Sequence, residues 1–364
     1  WDRLLSRISE LMCSEGIRLN KGKTMRFNLL FALLVLIIFS ASLFSETNTV
    51  VNSQTIMSLL LFGLLVFSLM SMADAAVVNY MRQWFRQNLF YALAPLAVLY
   101  ILTIGYIALV DQLTIWSAIT PLIYLFLPAL LLWWDRHSPQ HINWRNLIAI
   151  LVVWFFIELG LVPKVEIPPQ KGISFFLLIA LNGIIFIFVV IRGLDSVGYR
   201  LRPNVDDWKY ACLYLGLFVS FFAIPIGFST SFIHQTSEWQ PFWKFPVILL
   251  GIFLFTGLPE EILFRGLIHN LLAGWMRKGN RSELPALLIS SIIFGLAHVN
   301  NSNPPFILMH LFGTDWLIPW AYVILATIAG WFYGLAYIRT RSILAPALLH
   351  AMVDGWWAYF FNGN

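Results

Sequence analysis

The stretch Phe245-Pro-Val-Ile-Leu-Leu-Gly-Ile-Phe-Leu-Phe-Thr-Gly-Leu-Pro-Glu260-Glu261-Ile-Leu-Phe-Arg265-Gly-Leu-Ile-His269-Asn-Leu-Leu272 decides how the chain is read. It is long and apolar enough to cross a bilayer as a helix, yet it carries two adjacent carboxylates and a guanidinium. A charge at membrane depth costs several kcal/mol, so such residues are functional candidates by default. Two further apolar segments carry Phe294-Gly-Leu-Ala-His298 and His350-Ala-Met-Val-Asp354. Paired carboxylates plus two histidines inside a membrane point to acid–base chemistry rather than packing.

The surrounding chain supports a membrane setting. Of 364 residues, 59% are hydrophobic and 11% charged, against roughly a quarter charged in soluble domains. Mean hydropathy is +0.77. The apolar runs are continuous and do not alternate as a barrel wall would, so strands are not expected. The expected fold is an all-α, polytopic transmembrane helix bundle. About eleven spans are expected, near 27–45, 56–78, 88–110, 115–134, 146–163, 173–191, 210–229, 245–273, 284–299, 317–338 and 343–361.

Basic residues fall in alternate loops: 3–26, Arg82 and Arg86, Arg136 and Arg145, then Arg192, Arg200, Arg202 and Lys209. They recur at Arg277, Lys278 and Arg281 and at Arg339 and Arg341, while the opposite loops hold few, such as Lys164, Lys171 and Lys244. The positive-inside rule then places the N-terminus in the cytoplasm. The same clustering accounts for the net charge of +5, and no basic face interleaved with aromatics suggests nucleic acid. The tryptophans, among them Trp133, Trp134, Trp239, Trp243, Trp356 and Trp357, suit interfacial belts. With only Cys13 and Cys212, no disulfide framework is implied.

Residues 1–26 space Trp1, Leu4, Leu5, Ile8, Leu11 and Met12 as on a surface-lying amphipathic helix. Lys21, Lys23 and Arg26 before the run 27–45 read as a retained signal anchor. The long polar loop at 193–209 divides the chain. Residues 1–26 form a cytoplasmic tail, 27–192 an N-terminal transmembrane scaffold, and 193–364 the half that holds every charged intramembrane cluster.

On a helix, residues four apart share a face while adjacent ones diverge. Glu261 and Arg265 therefore stack as a structural pair, which leaves Glu260 to face a cavity as a general-base candidate. The blander alternative is a pair of structural charges lining a water-filled bundle. Phe294 lies four before His298 and packs beneath its ring; His350 and Asp354 share a face. A lone histidine on an apolar helix is usually a satisfied core residue, but two on separate spans beside a glutamate pair suggest one joint site. His137, His141 and His234 fall in loops, His310 in an extracytoplasmic stretch, and His269 extends the Glu261 face at most. Asp74, Glu158 and Asn182 are isolated polar residues suited to helix–helix hydrogen bonding. No His-Glu-x-x-His helix is present; zinc on Glu260, His298 and His350 is chemically adequate, though nothing in the spacing demands it.

Glu260-Glu261-Ile-Leu-Phe-Arg265-Gly266, Phe294-x-x-x-His298 and His350-x-x-x-Asp354 together resemble the CPBP family, also called Abi. That family comprises the type II CAAX prenyl endopeptidases and bacteriocin-processing intramembrane proteases. The segment Gly198-Tyr-Arg-Leu-Arg-Pro is similar to the one preceding the core in bacterial members, so the resemblance covers roughly 190–364. It implies an intramembrane peptidase acting on a membrane-anchored protein or lipidated peptide within the bilayer. In bacteria the cell membrane is the expected location.

Carried over, Glu260 is the general base, His298 orients the water, and His350 with Asp354 supports the oxyanion. Glu261, Arg265 and Phe294 are their support. The family was first classed as metallopeptidases; a metal-free glutamate mechanism is the expectation here, with zinc the alternative. Asp354 stands where the family commonly has Asn, and a carboxylate cannot donate to an oxyanion unless protonated. Two other functions stay open from the residues: a non-catalytic membrane scaffold or sensor of the same family, and a proton-coupled transporter. Transport would call for two repeated halves with broken helices, which the sequence does not display.

Overall fold

Long apolar runs in a bilayer must satisfy every backbone N–H and C=O internally, so they fold as helices. The computed structural model describes residues 27, 29–41, 53–137, 143–167, 173–234, 241–277, 283–311 and 313–361. The amphipathic tail and its Lys21, Lys23 and Arg26 lie outside these residues, as do His141, Trp239, Lys171, Lys278 and Arg281. Two units are formed, Trp1–Leu194 and Asp195–Asn364.

In the first unit the described helices are α1 Leu29–Ala41, α2 Ser53–Ser71, α3 Ala75–Phe85, α4 Leu89–Leu109, α5 Ile115–Trp133, α6 Trp144–Glu158 and α7 Phe175–Ile191. Asn182 of α7 donates to the Leu65 carbonyl of α2 at 3.1 Å, a helix–helix bond of the expected kind. Asp74 differs. It ends the expected span 56–78 early, because its side chain accepts from the Ala76 N–H at 2.7 Å and caps a separate helix, α3. At the end of α7 the buried Arg192 donates to Asn146 Oδ1 at 3.0 Å and to the Asp135 carbonyl at 2.8 Å.

The second unit holds α8 Val205–Ser229, α9 Lys244–Met276, α10 Leu284–Leu296, a hairpin of β1 Ile307–Leu311 and β2 Thr314–Ile318, α11 Trp320–Thr340 and α12 Leu344–Phe360. Helix α10 packs along α11, and α12 packs against α8, α9 and α11. The α10–α11 approach is close because Gly295 faces Val323 and Thr327, where a Cβ would sit 2.8 Å from the Val323 carbonyl oxygen. A loop strap closes the other end: Gly198, at φ +69°, accepts from the Ile343 N–H at 3.0 Å, and Asn270 donates to Ser196 Oγ at 2.8 Å.

Each of the eleven expected runs coincides with a described helix, and α3 is a further one. Among the described residues six helices (α2, α4, α5, α8, α9 and α11) are long and apolar enough to cross a membrane. Apolar side chains such as Leu60, Ile101 and Phe221 are exposed at 64–68%, which a bilayer covers and water would not. The protein is an integral, multi-pass membrane protein with an all-α bundle. The hairpin is an addition that was not expected: it is antiparallel, pairs Ile307 with Ile318 through Leu311 with Thr314, and takes Leu317 and Ile318 from the start of the expected run 317–338.

Candidate active site

Helix α9 is irregular where its charges sit. A short α-helical turn, Leu258–Glu261, lies between two π-helical stretches, Phe253–Gly257 and Ile262–His269. Wide turns of this kind are rare and cluster at functional sites. Arg265 Nη1 lies 2.9 Å from Glu261 Oε1, and both side chains are buried. The guanidinium also donates to the Gly330 carbonyl at 2.7 Å and sits over the Phe294 ring at 4.4 Å.

Glu261 has a second partner that sequence spacing does not show. His350 Nδ1, on α12, lies 3.0 Å from the same Oε1. The carboxylate thus ties α9 to α12 as well as to its own Arg265, so it is more than half of an isolated pair. His350 Nε2 faces Asp354 Oδ2 at 3.3 Å and Glu260 Oε2 at 3.9 Å. Carboxylates accept and do not donate, so a proton belongs on each His350 nitrogen.

Glu260 lines a cavity of about 850 Å³, counting its open mouth. His298, Tyr322, Tyr333, His350 and Asp354 share that lining, and Phe218, Phe232, Leu325 and Trp357 give it apolar walls. About a third of the Glu260 and Asp354 side chains is accessible, 32% and 31%. Glu260 Oε2 is buried and takes no hydrogen bond from the described residues. His298 Nδ1 lies 2.8 Å from the Phe294 carbonyl oxygen, which can only accept. Its proton therefore sits on Nδ1, and Nε2 is left as an acceptor in the neutral ring.

The structure thus brings Glu260, His298, His350 and Asp354 to one cavity. Phe294 packs on His298 with ring centroids 4.9 Å apart and meets His350 edge-on at 5.8 Å, so one ring orients both imidazoles. His269 is not in this group: its Nδ1 contacts Ser290 Oγ at 3.3 Å behind the site. His310 pairs with Asp315 at 2.7 Å on the exposed hairpin. Sequence reasoning missed Tyr322 and Tyr333, of which Tyr333 stacks on His350 at 4.8 Å and 19°. Their eleven-residue separation is three helical turns and places both on one face of α11.

Residues 242–356 match the family model Rce1-like, the type II CAAX prenyl endopeptidase Rce1-like family. That segment is thus similar to the family that the three motifs resemble. All four cavity residues of the three motifs fall inside the matched segment. No curated protein and no solved structure matches the chain. The match supports peptidase activity in general, of the CAAX-type intramembrane class.

Among the described residues no three His, Cys, Asp or Glu side chains are disposed as a metal-ligand set. His350 has a carboxylate on each ring nitrogen, so neither is a free ligand.

Proposed function

We propose that this CPBP-like domain hydrolyses a peptide bond of a membrane-anchored protein or lipidated peptide, with Glu260 as general base and without a metal. The observation that carries the proposal is the meeting in one cavity of the unbonded Glu260 Oε2 and the acceptor nitrogen of His298. A water between them gives one proton to Glu260 and is oriented through the other by His298 Nε2. Its oxygen adds to the carbonyl carbon, and the carbonyl π pair moves onto the oxygen. Collapse of the tetrahedral intermediate then breaks the C–N bond, and Glu260 returns the proton to the leaving amine. His350, held in its charged form by Asp354, supplies positive charge near the developing oxyanion. The apolar walls suit a lipid-borne or membrane-spanning segment beside the scissile bond.

In this reading residues 193–364 are the protease core and 27–192 a membrane scaffold. The test is a comparison of membrane proteomes from cells holding the parent protein and Glu260→Gln. Uncleaved substrate is expected to accumulate with the variant. A host phenotype that survives Glu260→Gln but is lost with Glu261→Ala would favour the scaffold reading instead.

Two expectations accompany the proposal. Turnover in detergent should survive strong chelators, and elemental analysis should find no stoichiometric zinc. A bound zinc whose removal abolishes turnover would replace the mechanism with metal-assisted hydrolysis. The N-terminus is proposed to face the cytoplasm, so reporter fusions at positions 140, 168, 200 and 236 should alternate in, out, in, out. An external reading at 200 would reverse the orientation.

A further inference from the structure

The protons that the proposed mechanism places on His350 are already engaged. One nitrogen faces Glu261 at 3.0 Å and the other Asp354 at 3.3 Å, and a carboxylate at 354 only accepts. A tetrahedral intermediate still calls for a preorganised hydrogen-bond donor at its oxygen, where such a contact is worth far more than in water. The cavity wall offers further hydroxyls on Thr256, Tyr322 and Tyr333. Thr256 lies on α9, the helix of the base itself. Tyr333 lies flat on His350, has the Arg265 guanidinium 5.2 Å from its ring centroid, and is 2% exposed. It acts as the floor beneath the imidazole.

Tyr322 is placed differently. It stands in the first turn of α11, edge-on to His298 with centroids 5.1 Å apart and planes at 80°. Phe232 stacks on it at 5.5 Å, and Trp357 packs against it at 5.8 Å. These two rings hold its ring in place before any charge develops. The Tyr322 side chain lines the same cavity as Asp354 and Glu260. Its hydroxyl has no hydrogen-bond partner among the described residues, so its proton is available to a ligand in the cavity.

We infer that Tyr322 is a further catalytic residue, whose hydroxyl donates to the developing oxyanion the hydrogen bond that Asp354 does not. The inference rests on the peptidase reading of the cavity. It explains how the site works with a carboxylate at 354, because the donor comes from α11 instead of α12. No proton is transferred to the substrate; the phenol polarises the carbonyl and releases it when the intermediate collapses.

The experiment measures kcat and KM of the full chain in detergent on an internally quenched, farnesylated CAAX-type peptide. The proteins compared are the parent, Glu260→Gln, Tyr322→Phe and Tyr322→Phe with Asp354→Asn. Tyr322→Phe keeps the ring and should keep the parent's thermal stability, yet lower kcat roughly 10²–10³-fold with little change in KM. Adding Asp354→Asn should recover roughly tenfold or more, since the amide oxygen can accept from His350 while its N–H₂ faces the oxyanion. A Tyr322→Phe protein with the parent's kcat overturns the inference, as does a loss confined to KM or one that Asp354→Asn does not relieve. Absent turnover by the parent, or turnover by Glu260→Gln equal to the parent's, would overturn the peptidase reading itself.

Discussion

Glu260→Gln is expected to fold as the parent does and to cleave roughly 10²–10⁴-fold more slowly, the loss that follows from removing a general base. The expectation of normal folding comes from what Glu260 lacks. Its Oε2 accepts no hydrogen bond from the described residues, and its nearest cationic partner, His350 Nε2, is 3.9 Å away. Replacing the carboxylate by an amide of the same shape therefore breaks little and leaves the cavity volume unchanged. Single-turnover cleavage beside thermal unfolding in detergent separates the two effects. An unstable Glu260→Gln, or one that retains turnover, would remove Glu260 from the role of base.

The largest loss of stability is expected at Arg265. Its guanidinium is 1% exposed and satisfies Glu261 at 2.9 Å and the Gly330 carbonyl at 2.7 Å. Arg265→Met leaves the Glu261 charge buried with His350 as its remaining partner, which should cost about 3–5 kcal/mol. Glu261→Gln should be similarly unstable, and it also releases His350 Nδ1, so the little protein that folds should turn over slowly. The double variant should be less unstable than the sum of the singles, because neither member of the pair is left with its charge unpaired. Thermal unfolding of the three variants checks this. A stable, inactive Glu261→Gln beside an unstable Glu260→Gln would mean that the two carboxylates have exchanged roles.

How legible was all this in the chain? The helices were, because a bilayer forces any long apolar run to close its own hydrogen bonds, and runs such as 88–110 and 115–134 match α4 and α5 nearly residue for residue. The stacking of Glu261 on Arg265 was legible for a similar reason, since helical geometry brings residues four apart together. Helix α3 was not, because its start depends on a single cap, Asp74, inside a run that still looks apolar. The hairpin was missed because Ile307-Leu308-Met309 and Trp316-Leu317-Ile318 read as interfacial chain unless their pairing is seen. The tie between Glu261 and His350 joins residues 89 apart on different helices, a distance at which no spacing rule operates. Tyr322 was hidden by abundance: with 12 tyrosines and 31 phenylalanines, one ring facing a cavity carries no mark in the sequence.

The wide turns of α9 bear on how relatives of this chain should be aligned. A π turn is what a helix forms when it absorbs a surplus residue without leaving its axis, and two stretches of such turns flank the carboxylate pair, at Phe253–Gly257 and Ile262–His269. A one-residue gap in either stretch is therefore not a neutral edit. It would draw that turn back to α geometry and rotate whatever lies beyond by about 100°. In a homologue, a gap in the first stretch would re-aim both glutamates relative to the chain before them, whereas a gap in the second would spare them and swing the helix end that Asn270 ties to Ser196. Gap position in this helix is thus a marker of site geometry, readable before any coordinates exist.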